Sequence, residues 1–479
     1  MINISKKKDC CGCNACGDVC PKHSITFKID KEGFWYPEVE MDTCIDCHLC
    51  EKVCPLLNKE EYKNIDGYVK PKTYALVHKN IEVRFDSTSG GAFTALAEEV
   101  YKQGGFVGGA IYNEDWSVSQ FLSSSKNDLP KLRSSKYLQS HFDGFYKSVK
   151  EALKTEKPVL VCGSPCQMAA MFRYLKKPYE NLIIVDYICR GIASPMYFRK
   201  WINYLENKHN SKVIFYKAKS KELGWRKLST RIEYANGEAD VIAGHDNPWL
   251  MMQYKVPEIC RPSCFECSFK GFPRTSDITM GDLWAKKGSI PQNLDGDLGT
   301  SIVFANNAKG EAFLSRCFKK VEYKEFPFET AVKGNFHLEN AVRHSSYDRE
   351  TFFQDLNESF EECIDKYIPE FNHQQYSVKS KTKNFLKFVW KISSASGWSI
   401  STWRKNLWYN IFSSKVKTSI FKGHYFIIEK NCTIQINSKG RLILDSALYF
   451  GTKKVKGSIL DSRLLIESGG IMRIYGGDY

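Results

Sequence analysis

Two copies of one cysteine pattern stand near the amino end of this 479-residue chain. Each copy has the form Cys-x2-Cys-x2-Cys-x3-Cys-Pro, and the copies begin at Cys10 and at Cys44. Nine of the eighteen cysteines fall within the first 54 residues, a crowding that side-chain packing does not explain. In a reducing compartment, clustered cysteines bind metal or carry out redox chemistry more often than they form disulfides.

The spacing within each copy is typical of proteins that hold two 4Fe–4S clusters. A tight turn brings three thiolates to one cluster, and the fourth cysteine, just before a proline, reaches the neighbouring cluster. The pattern predicts a first cysteine set, Cys10, Cys13, Cys16 and Cys54, and a second cysteine set, Cys20, Cys44, Cys47 and Cys50. Zinc also accepts four thiolates, but two complete copies with both prolines favour iron–sulfur clusters. Cys11 lies out of register and is interpreted as a bystander thiol.

Length, composition and charge exclude several other classes of protein. The length predicts about two to four domains, and 43% hydrophobic with 26% charged residues is ordinary for a packed globular protein. The chain has no apolar run of about 18 residues and no secretory signal, so we expect a cytoplasmic protein. Its net charge of +15 is concentrated between residues 371 and 428, which contain ten Lys or Arg and no Asp or Glu. The nearly balanced main body argues against nucleic acid as a partner.

Four regions of the chain differ in composition. They are a cysteine-rich segment at residues 1–58, an α/β-patterned region at 72–367, a basic aromatic linker at 371–428 and a tail of alternating apolar and polar residues at 429–479. In the second region, apolar runs at residues 158–162 and 181–186 suit buried strands between helical patterns. The predicted fold class is α/β with α+β character, with a small two-cluster ferredoxin domain ahead of the central α/β domain.

Seven further motifs recur in a recognisable order in the central region. They are Ser87-Thr-Ser-Gly-Gly-Ala-Phe-Thr-Ala-Leu, Gly105-Phe-Val-Gly-Gly-Ala-Ile-Tyr, Ser135-Lys-Tyr-Leu-Gln-Ser, Val161-Cys-Gly-Ser-Pro-Cys-Gln, Ile188-Cys-Arg-Gly-Ile-Ala-Ser-Pro, Cys264-Phe-Glu-Cys-Ser-Phe and Asp277-Ile-Thr-Met-Gly-Asp-Leu-Trp. With the cysteine pattern, they resemble the family of β-subunits of coenzyme F420 hydrogenases and dehydrogenases over about residues 1–330. The sequence also resembles the branch of this family found in bacterial surface-polysaccharide gene sets.

The resemblance implies that the central domain binds a flavin, FAD, and a third 4Fe–4S cluster beside it. The preferred ligands of this cluster are Cys166, Cys189, Cys264 and Cys267. The last two form a Cys-x2-Cys pair, and the first two follow predicted strands, whose ends place ligands in α/β domains. Cys260 is an alternative to Cys189 or Cys166. Cys162 is interpreted as a buried small hydrophobic residue, and Cys317, Cys363 and Cys432 are isolated and interpreted as structural.

A Ser-Gly-Gly turn, formed by Ser89, Gly90 and Gly91, precedes a helical pattern. Glycine allows a close backbone approach and a helix N-terminus favours an anion, so the turn suits a phosphate of the flavin. A glycine pair before a helix is also common as a simple turn. Its place among the family motifs favours the phosphate interpretation.

Three further residues are candidates for contact with the cofactor or the substrate. Lys136 and Tyr137 belong to one family motif, and the alternative for them is a strand with an exposed lysine. Asp282 belongs, with Trp284, to a Gly-Asp-x-Trp motif. An aspartate there hydrogen-bonds a flavin or substrate group, or it caps the following helix. No histidine has a spacing that indicates a catalytic pair, so the catalytic residues stay unassigned.

The linker and the tail receive no catalytic role. Aromatic and basic side chains at residues 371–428 suit the interface of an anionic bilayer, and the alternative is a helical linker packed on its neighbours. The tail resembles the opening coils of the β-helix in bacterial acyltransferases. A short stack of such coils leaves one face unpaired, so either a partner covers that face or the sequence is a truncated fusion.

These features predict an iron–sulfur flavoprotein oxidoreductase that passes electrons between a ferredoxin-type relay and an organic substrate or a deazaflavin through a bound flavin. The resemblance to the polysaccharide-locus branch implies a role in surface-polysaccharide biosynthesis. The alternatives are a non-catalytic electron-transfer subunit of a larger complex and a membrane-associated scaffold for a polysaccharide enzyme. The expected partners are a redox protein or coenzyme and a small-molecule substrate, with peripheral membrane contact through residues 371–428.

Overall fold

The computed structural model describes residues 1–64, 67–285, 290–291, 293–294 and 297–373, together with seven short strands between residues 416 and 474. The chain divides into two compact units. One contains residues 1–219, 231–240 and 248–368, and the other contains residues 220–230, 241–247 and 369–479. The first unit therefore contains every cysteine predicted as a cluster ligand.

The two cysteine repeats fold into the same local structure. Their elements are the helix α1 (Ala15–Val19), the antiparallel strands β1 (Ile25–Ile29) and β2 (Trp35–Val39), and the helix α2 (Leu49–Val53). The residue before each helix lies in the left-handed region, Asn14 with φ 62° and His48 with φ 58°. Each helix ends at the last cysteine of its repeat, Cys20 or Cys54. Equal spacing in the sequence thus gives equal local geometry.

A nine-stranded mixed sheet forms the centre of the first unit, and a separate sheet has three strands in the order β11-β10-β9. The strands after β2 are β3 (Lys72–His78), β4 (Phe106–Tyr112), β5 (Val118–Ser123), β6 (Ser140–His141), β7 (Val159–Gly163), β8 (Leu182–Tyr187), β9 (Val213–Ser220), β10 (Ser229–Tyr234), β11 (Ala239–Ile242), β12 (Ile278–Asp282), β13 (Ser301–Ala305) and β14 (Val321–Glu325). The order in the large sheet is β14-β3-β13-β12-β8-β7-β4-β5-β6.

The central strands of the large sheet share one direction. Strands β12, β8, β7 and β4 lie side by side and run parallel. Strand β13 is antiparallel to both β12 and β3, so β3 also points in this direction. The carboxyl ends of these five strands therefore meet at one edge of the sheet, where α/β proteins bind their ligands. The prediction of a mixed α/β fold is confirmed.

Helices cover both faces of this sheet. The helices of the first unit after α2 are α3 (Ile81–Asp86), α4 (Ala92–Lys102), α5 (Leu129–Leu132), α6 (Phe145–Leu153), α7 (Pro165–Leu175), α8 (Pro195–His209), α9 (Pro248–Lys255), α10 (Ala308–Cys317), α11 (Phe328–Gly334), α12 (Arg349–Glu358) and α13 (Phe360–Tyr367), and α14 (Glu370–His373) belongs to the second unit. Leu160 and Ile183 pack in the core with α4, α5 and α10, whereas Val161 and Ile184 pack in the core with α6 and α7. Strands β7 and β8 are thus buried on both faces, as their apolar runs predict.

The tail strands of the second unit pair in parallel. They are β15 (Val416–Lys417), β16 (Phe426–Ile428), β17 (Cys432–Ile436), β18 (Arg441–Leu444), β19 (Leu448–Phe450), β20 (Ser462–Ile466) and β21 (Ile471–Ile474). Strand β17 pairs with β20, and β18 pairs with β21. The β-helix interpretation of the tail stays a prediction. The bilayer interpretation concerns residues 371–428, most of which lie outside the described part of the chain.

Among the residues that the structure describes, no helix is both long enough and apolar enough to cross a membrane.

Candidate redox site

The first cysteine set lies where the N-terminal repeat packs against helices α6 and α7 of the central region. Cys13 and Cys16 are buried, and Cys10 and Cys54 are half-buried. Burial raises the pKa of the Cys16 thiol well above its usual value, and the nearby thiols of Cys13, Cys10 and Cys54 add to this rise. The four cysteines predicted by the spacing therefore lie close together.

The second cysteine set lines one surface pocket. Backbone N–H groups donate to two of its sulfur atoms, from Ile2 to Sγ of Cys50 at 3.2 Å and from Ser24 to Sγ of Cys20 at 3.3 Å. Cys47 of this set is exposed. The pocket thus carries the sulfur atoms of all four predicted ligands and is reached directly from solvent.

A third group of thiols, the central cysteines, lies at the carboxyl edge of the sheet; its members are Cys166, Cys189, Cys260, Cys264 and Cys267. Cys166 lies in the first turn of α7 after β7, and Cys189 follows β8. Burial raises the pKa of Cys189 to about 12, and the thiols of Cys166, Cys267 and Cys260 also raise it. Burial likewise raises the pKa of Cys264, with Cys260, Cys189 and Cys166 nearby. The preferred four ligands lie together, and the alternative, Cys260, lies among them.

Cys11 connects the first cysteine set with the central cysteines. Cys13 and Cys166 both lie near its thiol and raise its pKa well above the usual value. Its position in the sequence indicated no role because it lies out of register, and nothing in the local spacing indicates this proximity. Cys162, by contrast, packs half-buried against the main core of the sheet.

A partly buried ion pair lies beside two aromatic rings at the same edge of the sheet. Lys219 Nζ lies 2.7 Å from the Asp282 carboxylate and 5.8 Å from the ring centroids of both Tyr137 and Trp284. Burial opposes the charge of Lys219, but Asp282 outweighs it and raises the pKa of the ammonium group. The structure therefore brings together Tyr137 and Asp282, as candidates, with Lys219. Lys219 was missed because a lysine in a strand carries no distinctive sequence signal.

Tyr187, the last residue of β8, lies near Tyr137 and near two of the central cysteines. Burial raises the pKa of its hydroxyl well above the usual value. The nearby groups that also raise it are the thiols of Cys189, Cys162 and Cys166 and the hydroxyl of Tyr137. Tyr187 is thus a neighbour of both the central cysteines and Tyr137.

The Ser-Gly-Gly turn lies at the carboxyl end of β3, where its glycines serve close packing. Gly90 N–H donates to the Ser301 hydroxyl at 2.9 Å, and a side chain at Gly90 would meet a backbone oxygen of β3 at 2.3 Å. Gly91, with φ 96°, immediately precedes α4 in a conformation that favours glycine. The Ser89 hydroxyl donates to the carbonyl of Thr300 at 2.8 Å. Packing of β3 against β13 accounts for Gly90, and phosphate contact stays a proposal.

Lys136 lies in the loop between α5 and β6, and its side chain caps a helix. Its ammonium group donates to the carbonyls of Lys131, Leu132 and Arg133 at 2.7, 3.3 and 2.9 Å. Burial lowers the pKa of Lys136 to about 7. These carbonyls belong to the C-terminal end of α5, so the lysine has a structural role there, and cofactor contact by Lys136 stays a proposal.

Comparison with known families matches two separate segments of the chain. Residues 156–330 match the family of the C-terminal part of the beta subunits of coenzyme F420 hydrogenases and dehydrogenases, and residues 9–57 match the 4Fe-4S dicluster domain.

The chain therefore contains a domain of the coenzyme F420 hydrogenase/dehydrogenase beta-subunit family.

Similar proteins match different parts of the chain. An uncharacterized protein of Methanocaldococcus jannaschii is 24% identical over 344 residues, which are 64% of this chain and 86% of that protein. A subunit of the F420H2 dehydrogenase of Methanosarcina mazei is 22% identical over 188 residues, 37% of this chain and 51% of the M. mazei protein. An uncharacterized ferredoxin of M. jannaschii is 35% identical over 52 residues, 11% of this chain and 66% of the ferredoxin.

One solved structure, the F420-reducing [NiFe] hydrogenase complex from Methanosarcina barkeri, contains a chain that is also similar to this one. It has 16% sequence identity and a TM-score of 0.38, and the match covers 63% of this chain and 94% of that chain.

The donor atoms in this protein fit iron–sulfur clusters. Each cysteine set offers thiolates in the number that a 4Fe–4S cluster takes, and the second set lines a pocket. Within the described residues, no three His, Cys, Asp or Glu side chains lie close enough to hold a single metal ion. The 4Fe-4S dicluster domain confirms the predicted presence of N-terminal iron–sulfur clusters and the character of an electron-transfer protein.

Proposed function

We propose that this protein is an oxidoreductase that exchanges electrons between a redox partner and an organic substrate or deazaflavin. The carrying observation is the position of Cys11 near both Cys13 and Cys166. It joins the dicluster domain to the central cysteines, so an electron needs no solvent-separated step between them. When bound, the clusters supply one-electron transfer, and a flavin joins it to paired-electron chemistry.

The ligand assignment follows the three groups of thiols. The first cysteine set binds the cluster nearest the central domain, and the second cysteine set binds the cluster nearest solvent. Cys166, Cys189, Cys264 and Cys267 bind the third cluster. Cys260 lies beside Cys264 and is the alternative ligand.

The flavin is proposed to lie beside Tyr137 and Trp284. These residues offer aromatic faces at the sheet edge, close to Tyr187 and thus to the central cysteines. Lys219, kept positive by Asp282, places a fixed charge beside the rings. A preorganised positive charge of this kind stabilises negative charge that develops on a reduced ring. Ser89, Gly90 and Gly91, at the start of α4, are the proposed phosphate contacts.

The coenzyme F420 is the first deazaflavin to test as a substrate. The family description refers to this coenzyme, and the M. mazei relative is a subunit of an F420H2 dehydrogenase. Nucleotide sugars form the second substrate class, because they test the proposed link to surface-polysaccharide biosynthesis.

The proposal is tested by anaerobic purification of the full chain with quantitation of iron, sulfide, zinc and flavin. We expect about twelve iron atoms per chain, from three four-iron clusters, and one flavin. Zinc in place of iron would refute the assignment of the cysteines. Iron without flavin would refute the flavin site alone.

Substrate turnover is then compared between two lysine variants of strand β9. We expect Lys219→Met to lower kcat/KM about 100-fold, the size typical of removing one positioned electrostatic group. Lys217→Met is the matched control, because Lys217 lies on the same strand and also pairs with an aspartate, Asp86, at 2.8 Å. Equal losses in the two variants would contradict the role assigned to Lys219.

A second candidate function is a non-catalytic electron-transfer subunit, favoured by the similarity to a subunit of a dehydrogenase. The two functions differ in one observable. A catalytic subunit reduces or oxidises its substrate alone, whereas an electron-transfer subunit holds its clusters but turns over only with added partner proteins. The membrane-scaffold hypothesis concerns the linker, and deletion of residues 371–428 in a liposome flotation assay tests it.

A further inference from the structure

One arginine lies between the first cysteine set and the central cysteines. Arg261 stands between Cys260 and Cys264 in the chain, and its side chain is fully buried, with 0% exposed. Its Nε donates to the carbonyl of Cys10 at 2.7 Å, and its Nη2 donates to Sγ of Cys10 at 3.4 Å. A residue from the loop of the third group of thiols therefore contacts a predicted ligand of another cluster.

The guanidinium group of Arg261 is held in place on every side. Its Nη1 donates to the Gln139 side chain at 2.9 Å, and its Nη2 also donates to the carbonyl of Trp35 at 2.9 Å. The group lies 4.2 Å from the ring centroid of Tyr36. A side chain at Gly12, which has φ 68°, would lie 2.8 Å from Nη1. The arginine is thus a fixed positive charge with one direct contact to sulfur.

A fixed positive charge beside Cys10 affects the oxidised and the reduced form of the cluster unequally. Reduction adds a negative charge to a cluster that already carries thiolate ligands, and a nearby cation stabilises the reduced form more than the oxidised form. Burial keeps this interaction from being screened by salt. In the second cysteine set, the sulfur atoms of Cys50 and Cys20 accept hydrogen bonds from neutral backbone groups instead, those of Ile2 and Ser24.

We propose that Arg261 is a positioning residue that raises the reduction potential of the cluster held by the first cysteine set and keeps the Cys10 loop against the central cysteines. This inference rests on the proposed function, because it requires clusters at these cysteines. Arg261 thereby stabilises the reduced form of the cluster at the junction between the dicluster domain and the central domain. Its role is separate from that of the ligands.

The test is an anaerobic redox titration of the full-length protein, followed by electron paramagnetic resonance. We expect Arg261→Gln to lower one cluster midpoint by about 59 mV, a tenfold change in a one-electron equilibrium constant, and to leave the other midpoints unchanged. Arg261→Lys keeps the charge and loses the forked geometry, so it restores part of the shift. Cys10→Ser identifies the affected signal, because it changes a ligand of the first set.

Arg173→Gln is the matched control. Arg173, in helix α7, is a second arginine that links the central domain to the dicluster domain. It contacts oxygen rather than sulfur, because its Nε and Nη2 donate to the carbonyl of Lys52 at 2.9 and 2.7 Å. We expect its midpoints to equal those of the wild type. If Arg261→Gln does not fold, Arg261→Lys and Gln139→Leu, which removes an anchor of the guanidinium group, must each lower the same midpoint by a smaller amount.

The outcomes separate this inference from the proposed function. About twelve irons per chain with unshifted midpoints in the Arg261 variants would overturn the role of Arg261 alone. An equal shift of all midpoints in Arg261→Gln, or the same shift in Arg173→Gln, would also overturn it. Wild-type protein loaded with zinc would overturn the proposed function and this inference together.

Discussion

The two cysteine sets share a sequence pattern and a backbone geometry, but they have different surroundings. Around the first set, the Tyr146 hydroxyl donates to the carbonyl of Cys13 at 2.7 Å, and Gln139 donates to the carbonyl of Gly12 at 3.2 Å. Around the second set, Cys47 is exposed, and Ile45, which lines the same pocket, is 58% exposed. One repeat is covered by the central domain and the other faces solvent.

The difference teaches that spacing decides which thiols meet, whereas tertiary contacts decide what each group of thiols can exchange electrons with. A covered cluster communicates with the interior of its own chain. An exposed cluster is the place where a redox partner approaches. If the dicluster domain packed with its second cysteine set against the central domain, the first cysteine set would no longer lie beside the central cysteines.

The largest expected effect comes from removing one predicted ligand from the covered first set and one from the exposed second set. We expect Cys13→Ser and Cys47→Ser each to lose about four iron atoms per chain. Cys13 is 8% exposed and belongs to the core with Tyr146 and Val53, so its variant also loses about 1–3 kcal/mol of unfolding free energy beyond the Cys47 variant. Iron quantitation and urea denaturation measure the two effects.

The Cys47→Ser variant is the control in this pair, because it removes a ligand without touching the central core. Equal destabilisation of the two variants would contradict the difference between the covered and the exposed set. Loss of all N-terminal iron in both variants would show that the two clusters assemble only together.

Much of the fold and of the cluster sites followed from local sequence. The ligands within each repeat are close in the chain, and a tight turn with a left-handed residue, Asn14 or His48, orders them. Strands β7 and β8 followed from short apolar runs, since a strand buried on both faces needs no polar alternation. Local chemistry is sufficient where neighbours in sequence are also neighbours in space.

The residues that sequence reasoning missed depend on long-range packing. Arg261 meets Cys10 across about 250 positions of chain, and Lys219 meets Asp282 across more than 60. A single arginine or lysine has no spacing that marks it, so its partner is known only from the fold. Lys136 shows the converse, because a family motif drew attention to a side chain that caps α5.

A smaller effect is expected from removing one contact that covers the first set. Tyr146→Phe deletes the buried hydroxyl bonded to the carbonyl of Cys13 and leaves that carbonyl without this donor. We expect a loss of about 1 kcal/mol in unfolding free energy, measured by urea denaturation of the cluster-loaded protein. Tyr254→Phe is the control, because Tyr254 is 56% exposed, and its change should stay within about 0.5 kcal/mol. Equal losses of unfolding free energy in the two variants would show that the Tyr146 hydroxyl does not stabilise the packing around the first cysteine set.

The smallest expected effect is a pH dependence of the unfolding free energy that arises from His141, beside the first cysteine repeat. The His141 ring stacks on Trp35 with centroids 3.8 Å apart, and burial lowers the pKa of His141. The folded protein therefore prefers neutral imidazole, whereas the unfolded chain takes up a proton near pH 6.5. This contribution to stability is complete above about pH 6.5 and is lost as the pH falls towards the folded-state pKa. His141→Phe keeps a ring against Trp35 but does not titrate, so its unfolding free energy should fall less between about pH 7 and pH 5. An unchanged slope in the variant would mean that the covered side carries no proton-linked contact at Trp35.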